Sequence, residues 1–227
     1  MGTIGKFLAK NAPYLGPPKR WSTAFYETVR GPRASYGQHG EDVWLAERWP
    51  AQRDCFPAYI DVGANHPMRL SNTYLMYRHG YRGFVVEPNA DLASLHRRFR
   101  PGDVCISAAV GSNPGVAKFN VSITPVLSSL EKIPQHELLR TDYVPLITLD
   151  QLAEAGSVDK LFLLSIDTEG FDVDVLKGAR TLLPRTKYIC IEAWDDARAQ
   201  TISDLLSETH KLAKSIKCNL IFENGSG

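Results

Sequence analysis

No apolar run in the chain approaches the ~20 residues that cross a bilayer. Cysteine is scarce as well: the four present (Cys55, Cys105, Cys190, Cys218) are scattered, with no C-x-x-C pair to suggest a zinc site or redox motif. Cys105 and Cys190 fall in apolar, strand-like runs, so buried thiols in a reducing compartment are expected. An excess of charge of either sign is also missing. A net charge of +1 over 227 residues gives no electrostatic case for a nucleic acid or an anionic membrane as partner. The N-terminus has too few apolar residues for a secretory signal, and Lys6 occupies the Ser/Thr position of a myristoylation motif. A cytoplasmic location with no transmembrane segment is the expectation. No internal repeat is present.

What remains is an ordinary globular composition, 44% hydrophobic and 22% charged, long enough for one large domain with an appendage. Residues 1–34, broken by Pro17-Pro18 and Gly31-Pro32, read as a loosely helical N-terminal arm; residues 35–227 read as the domain. Ser35 to Asp42 opens a helix running to about Trp49, stopped by Pro50. Strands are expected at Tyr59–Val62, Gly83–Val86, Val104–Val110, Leu161–Ile166 and Tyr188–Glu192, with helices between them. Ser71 is placed to cap a helix through His79, and Asn89 to cap the next. Thr148 with Gln151 makes a capping box. Residues 123–143 lack periodicity and read as a mobile loop over a site. Lys211–Ser215 and Asn219–Phe222 close the chain as a hairpin. The alternation predicts an α/β, doubly wound sheet with a C-terminal antiparallel hairpin.

The organising stretch is Tyr59-Ile60-Asp61-Val62-Gly63-Ala64-Asn65-His66-Pro67, a buried strand ending in a tight turn. Gly63 leaves nothing between the main chain and a ligand, and Asn65 tolerates a left-handed backbone. Ligands of such sheets settle beyond the carboxyl ends of the strands, where strand order reverses. Three acids, Asp61, Glu87 and Asp167, close the first, second and fourth strands there. A carboxylate 24 residues beyond Gly63 suits a grip on two vicinal ribose hydroxyls, which makes Glu87 the ribose candidate. Asp61 would attract an ammonium or orient the turn, and the small residues Ser107 and Ala108 would let a flat adenine approach. The bland alternatives are helix-dipole acids and helix-packing alanines.

These strings, Asp61-Val62-Gly63-Ala64-Asn65-His66-Pro67, Ser71-Asn72-Thr73-Tyr74 and Glu87-Pro88-Asn89, resemble the FkbM-type S-adenosylmethionine-dependent methyltransferases. So do Gln38-His39-Gly40-Glu41-Asp42, Leu164-Ser165-Ile166-Asp167-Thr168-Glu169-Gly170 and Asn219-Leu220-Ile221-Phe222. The resemblance spans about residues 35–222. It implies a class I methyltransferase (Rossmann-like) fold, a doubly wound seven-stranded sheet whose last strand is antiparallel. It also implies O-methyl transfer to a sugar hydroxyl of a polysaccharide, glycolipid or natural product. By motif, Gln38, Gly63, Asn65 and Ser71 would meet the methionine end of S-adenosylmethionine. Glu87 would take the ribose, Ser107 and Ala108 the adenine edge, and Asp167 would lie beside the sulfonium. Where many relatives read G-A-N-D-G, this chain has Gly63-Ala64-Asn65-His66-Pro67, and Pro67 removes a backbone donor.

An alcohol acceptor benefits from a base, and Asp167, Glu169, His66 and His39 are the candidates. Asp167 with Glu169, completed by Asp195-Asp196, is a lesser candidate for a divalent cation such as Mg²⁺. Trp194 and Tyr36 are offered for stacking on a sugar face. Two other functions fit the same pattern: an NAD-type oxidoreductase, disfavoured by the missing second and third glycines, and a non-catalytic scaffold that kept the fold.

Overall fold

The computed structural model describes residues 34–49 and 57–225. The expected N-terminal arm, Pro50 and Cys55 therefore lie outside the described residues, apart from Ala34. Along the chain run α1 (Glu41–Ala46), β1 (Tyr59–Val62), α2 (Tyr74–Arg78), β2 (Gly83–Val86), α3 (Ala90–Phe99) and β3 (Val104–Ile106). Then come β4 (Ala109–Val110), β5 (Gly115–Ser122), β6 (Leu138–Ile147), α4 (Leu149–Ala155) and β7 (Leu161–Ile166). The last elements are α5 (Asp172–Lys177), β8 (Thr186–Glu192), α6 (Asp196–Leu206), β9 (His210–Ile216) and β10 (Asn219–Asn224).

Seven strands form one sheet in the order β3-β2-β1-β7-β8-β10-β9. The pairs β1–β2, β2–β3, β1–β7 and β7–β8 are parallel, whereas β10 runs antiparallel to both β8 and β9. Strand alternation sorts the buried residues into two layers. Ile60, Leu164, Ile189 and Phe222 pack on one face, and Tyr59, Leu163, Tyr188 and Ile221 on the other. A sheet buried on both faces is doubly wound, as its near-continuous apolar strands predict. The exposed edge strand β9 carries Lys211 and Lys214, which discourage pairing with a further chain.

Three expectations need correction. The apolar stretch 104–110 is two strands, because β4 leaves the main sheet to pair with β6. The expected loop 123–143 holds a turn of 3₁₀ helix at Pro125–Leu127 and the first half of β6. Pro145 argued against a strand here, since proline cannot donate to a ladder. It is tolerated because β4 reaches only Leu146 and Ile147, leaving Pro145 paired on one side alone. Finally, α1 and α2 are shorter than their periodicity suggests. Residues before α1 are turned instead by Asp42, whose carboxylate accepts from Ser35 Oγ at 2.7 Å and Tyr36 N at 2.6 Å. The N-cap of α2 is Thr73 and makes no side-chain cap bond; Ser71 lies two residues earlier, its hydroxyl accepting from Tyr74 N at 3.1 Å.

The first and last motifs meet in space. Buried Glu41 accepts from Asn219 Nδ2 at 2.6 Å, tying α1 to β10 across the sheet. Among the described residues no helix is long and apolar enough to cross a membrane.

Candidate active site

Sheet order reverses between β1 and β7, so the site forms where these two strands end. The Gly63 N–H donates to the Val86 carbonyl at 2.9 Å, and Gly63 adopts φ +72°. A Cβ here would lie 1.9 Å from the Asp167 carbonyl oxygen, so only glycine allows β1 and β7 to close at this level. Beyond it, Asn65 is also left-handed at φ 49°.

Glu87 holds that turn. One carboxylate oxygen accepts from Asn65 N and the other from Asn89 N, both at 2.7 Å. Asn89 in turn caps α3, accepting from Asp91 N at 3.1 Å. The buried His96 ring donates from Nε2 to the Asn65 carbonyl at 3.0 Å. Burial and the nearby Arg100 cation keep this imidazole well below its ordinary pKa, hence neutral. The turn is therefore held at both its N–H and its C=O.

Beneath it, Arg100 is fully buried against Asp103, with Nε donating at 2.7 Å. Its Nη2 donates to Tyr59 Oη and Thr73 Oγ1, both at 3.0 Å. Thr73 Oγ1 in turn donates a hydrogen bond to Asp61 Oδ2. Asp61 is thus an interior residue of β1, with its carboxyl raised by burial and restrained by Arg100 and Thr73. Asn72 donates to Ser165 Oγ at 3.3 Å, joining the α2 approach to β7.

A cavity of about 190 Å³ opens over these strand ends. The segment Val126–Ser128 and Leu130 roof it, so part of the expected loop does face the site. Its lining includes Asp61, Glu87, Asp167, Glu169 and Glu192, and among the described residues contains no Lys, Arg or His. Asp167 follows the paired Ile166 and Ile191, and Glu192 stands beside it. One oxygen from each of Asp167, Glu169 and Glu192 lies within 4.8 Å of the others.

Their crowding is visible in their acidity. Burial, then Glu192, Glu169 and Asp172, hold the Asp167 carboxyl well above the usual range. Glu192 beside it is raised chiefly by burial, with Asp172 adding to the effect. Burial with Glu192 and Asp172 pushes Glu169 up to about 7. Asp167 Oδ1 is buried with no hydrogen-bond partner. Glu169 itself sits at φ 52°. Among the described residues, three of the five left-handed non-glycine ones, Asn65, Leu70 and Glu169, line this one cavity, the clustering expected where a fold stores backbone strain for function.

Of the residues expected at a site, Gln38, Asp61, Gly63, Asn65, Ser71, Glu87, Ala108, Asp167 and Glu169 line the cavity. Ser107 and His66 do not. His66 turns back on its own segment, Nδ1 accepting from Met68 N at 3.1 Å, while the strand β3 stops before Ser107. His39 is likewise absent from the lining. Asp195 is used to cap α6, accepting from Arg198 N at 2.7 Å, so neither it nor Asp196 completes an acidic cluster. Glu192 takes that place. It carries the same strand-end signature as Asp61, Glu87 and Asp167, and that signature was the sequence signal available for it. Tyr36 is buried against Tyr74, whereas Trp194 is exposed at the mouth.

The family model described as "Methyltransferase FkbM domain" matches residues 61–212. The chain is 24% identical over 138 residues to the hexuronic acid methyltransferase AglP of Haloferax volcanii, covering 60% of this chain and 57% of that protein. Its fold is similar to the crystal structure of methyltransferase FkbM from Methylobacillus flagellatus KT, with a TM-score of 0.50 at 14% identity. That superposition covers 74% of this chain and 44% of the other. The chain thus spans less than two thirds of either relative.

Proposed function

This chain belongs to the FkbM methyltransferase family, and from that membership we propose that it moves a methyl group from S-adenosylmethionine to a hydroxyl of a sugar, polysaccharide or glycosylated natural product. The observation that carries this reading is the cavity at the reversal between β1 and β7, walled by five acidic side chains and free of cationic side chains among the described residues. A ligand bearing both a sulfonium and an ammonium suits such a lining. The name of the Haloferax volcanii relative, a hexuronic acid methyltransferase, supports a carbohydrate acceptor.

The residues present fit this donor. Gly63 and Asn65 offer a bare backbone at the strand end. Glu87 is oriented by two backbone N–H groups and lines the cavity at the end of β2, where a carboxylate is placed to accept from a ribose hydroxyl. Leu92, Ala108 and Val110 supply an apolar wall for a flat base. When bound, S-adenosylmethionine supplies an electrophilic methyl group on sulfur. The protein's part is to hold the acceptor oxygen in line and to receive its proton. Glu169 is the group suited to the second task, because a base with a pKa near 7 is both free and basic at neutral pH. Asp167, crowded by Glu192 and Glu169, lies at the end of β7 in the same cavity.

Calorimetry with S-adenosylmethionine, S-adenosylhomocysteine and NAD tests this. The first two are expected to bind and the third not. Binding of NAD alone would return the oxidoreductase reading, and binding of none would leave a scaffold.

A further inference from the structure

The geometry points to an acceptor whose sugar ring carries a protonated amine rather than a carboxylate, lying against Trp194 with the amine directed at the Asp167–Glu169–Glu192 cluster. This rests on the methyl-transfer reading above and narrows its acceptor class. It departs from what the Haloferax volcanii relative's name would suggest.

Charge is the first ground. A uronate entering the cavity would meet five acidic side chains and no compensating Lys, Arg or His among the described lining residues. One such cluster, three carboxyls with oxygens within 4.8 Å, is already crowded enough to retain protons. A carboxylate would add to that repulsion, and an ammonium would relieve it. S-adenosylmethionine itself carries a sulfonium and an ammonium against one carboxylate, so it offsets only part of the excess. The second ground is Asp167 Oδ1, a buried acceptor aimed at nothing in the protein. An N–H donor from the acceptor would satisfy it, and a carboxylate has none to give.

Surface shape is the third ground. Trp194 lines the cavity yet is 58% exposed, two residues beyond Glu192. Leu70 and Leu127, 50% and 40% exposed, flank the same mouth. Leu70 is held there at φ 53°, a conformation leucine adopts only under constraint. An indole face at the edge of an acidic cavity attracts the apolar face of a pyranose, and attracts a cation more strongly still.

The test titrates the intact protein, saturated with S-adenosylhomocysteine, with three probes followed by saturation-transfer NMR. They are methyl 2-amino-2-deoxyglucopyranoside, methyl glucopyranoside and methyl glucopyranosiduronate. The aminated glycoside is expected to bind at least tenfold more tightly than the uronate, with the neutral sugar between them. Trp194→Ala, at an exposed position that leaves the core intact, should weaken the aminated and neutral sugars severalfold. Glu192→Gln should narrow the ratio between amine and acid. A uronate bound as well as the amine, or no glycoside bound by protein that does bind S-adenosylhomocysteine, overturns the acceptor inference and leaves methyl transfer standing. Failure to bind S-adenosylhomocysteine overturns both.

Discussion

Replacing Glu169 by Gln is expected to stabilise the protein while disabling it, and the two effects should separate with pH. Glu169 rises from 4.5 to about 7 on folding, chiefly through burial and then through Glu192 and Asp172. At about 1.4 kcal/mol per unit, the fully ionised form would carry about 3 kcal/mol of unfavourable free energy in the folded state. The side chain is only partly buried, so solvent screening reduces the figure to about 1–2 kcal/mol. Because the folded-state value lies above the unfolded one, the native protein binds more protons between pH 4.5 and about 7. Stability therefore falls as pH rises through that window, and is constant with respect to this group above it. Gln keeps the shape and loses the titration. Urea denaturation of both proteins at pH 4, 6 and 8 should show no difference at pH 4, a growing one at pH 6, and a variant more stable by about 1–2 kcal/mol at pH 8. If Glu169 is the base, the native chain's methyl-transfer rate is expected to rise through about pH 7, and the same variant should lose turnover at all pH values. Equal stability of the two proteins at pH 8 would refute the account of a crowded carboxylate cluster, whatever happens to turnover.

Glu87→Ala should weaken S-adenosylmethionine binding by about 1–3 kcal/mol, the scale of lost charge-assisted hydrogen bonds; unchanged affinity by calorimetry removes Glu87 from the site. Gly63→Ala forces a Cβ against the Asp167 carbonyl at positive φ, so a loss of several kcal/mol in unfolding free energy is expected, and a variant as stable as the native chain contradicts the closure of β1 on β7. Arg100→Met removes the cation from buried Asp103, leaving it the neutral donors Tyr59 Oη and Gly83 N, and takes a donor from the hydroxyls of Tyr59 and Thr73. It should cost about 3–5 kcal/mol, and restoring most of that by adding Asp103→Asn would show that the stranded charge is the cause. Asp167→Asn should leave thermal stability unchanged or raised while depressing turnover, so full turnover in a folded variant excludes Asp167 from the site.

Much of the site was readable in the chain because strand ends announce themselves. Asp61, Gly63, Glu87 and Asp167 each sit where an apolar run meets a turn, and parallel strands gather such points at one edge of a sheet. Local periodicity and capping likewise foretold α3, α4 and the closing hairpin, since those elements are set by residues near one another in sequence. Other features depend on partners far along the chain. Nothing local marks β6 as a strand, with Pro145 inside it and half-exposed residues along it; only pairing with β5 makes it one. Nothing local leaves Trp194 in solvent. Nor does any motif tell that Glu192 closes on Asp167, or that buried Arg100 supports Asp61 through Thr73. Residue types determined which chemistry was available. The sheet order, by bringing β1, β7 and β8 side by side, decided which carboxyls crowd together, and that crowding is what raises their proton affinity and shapes the cavity's charge.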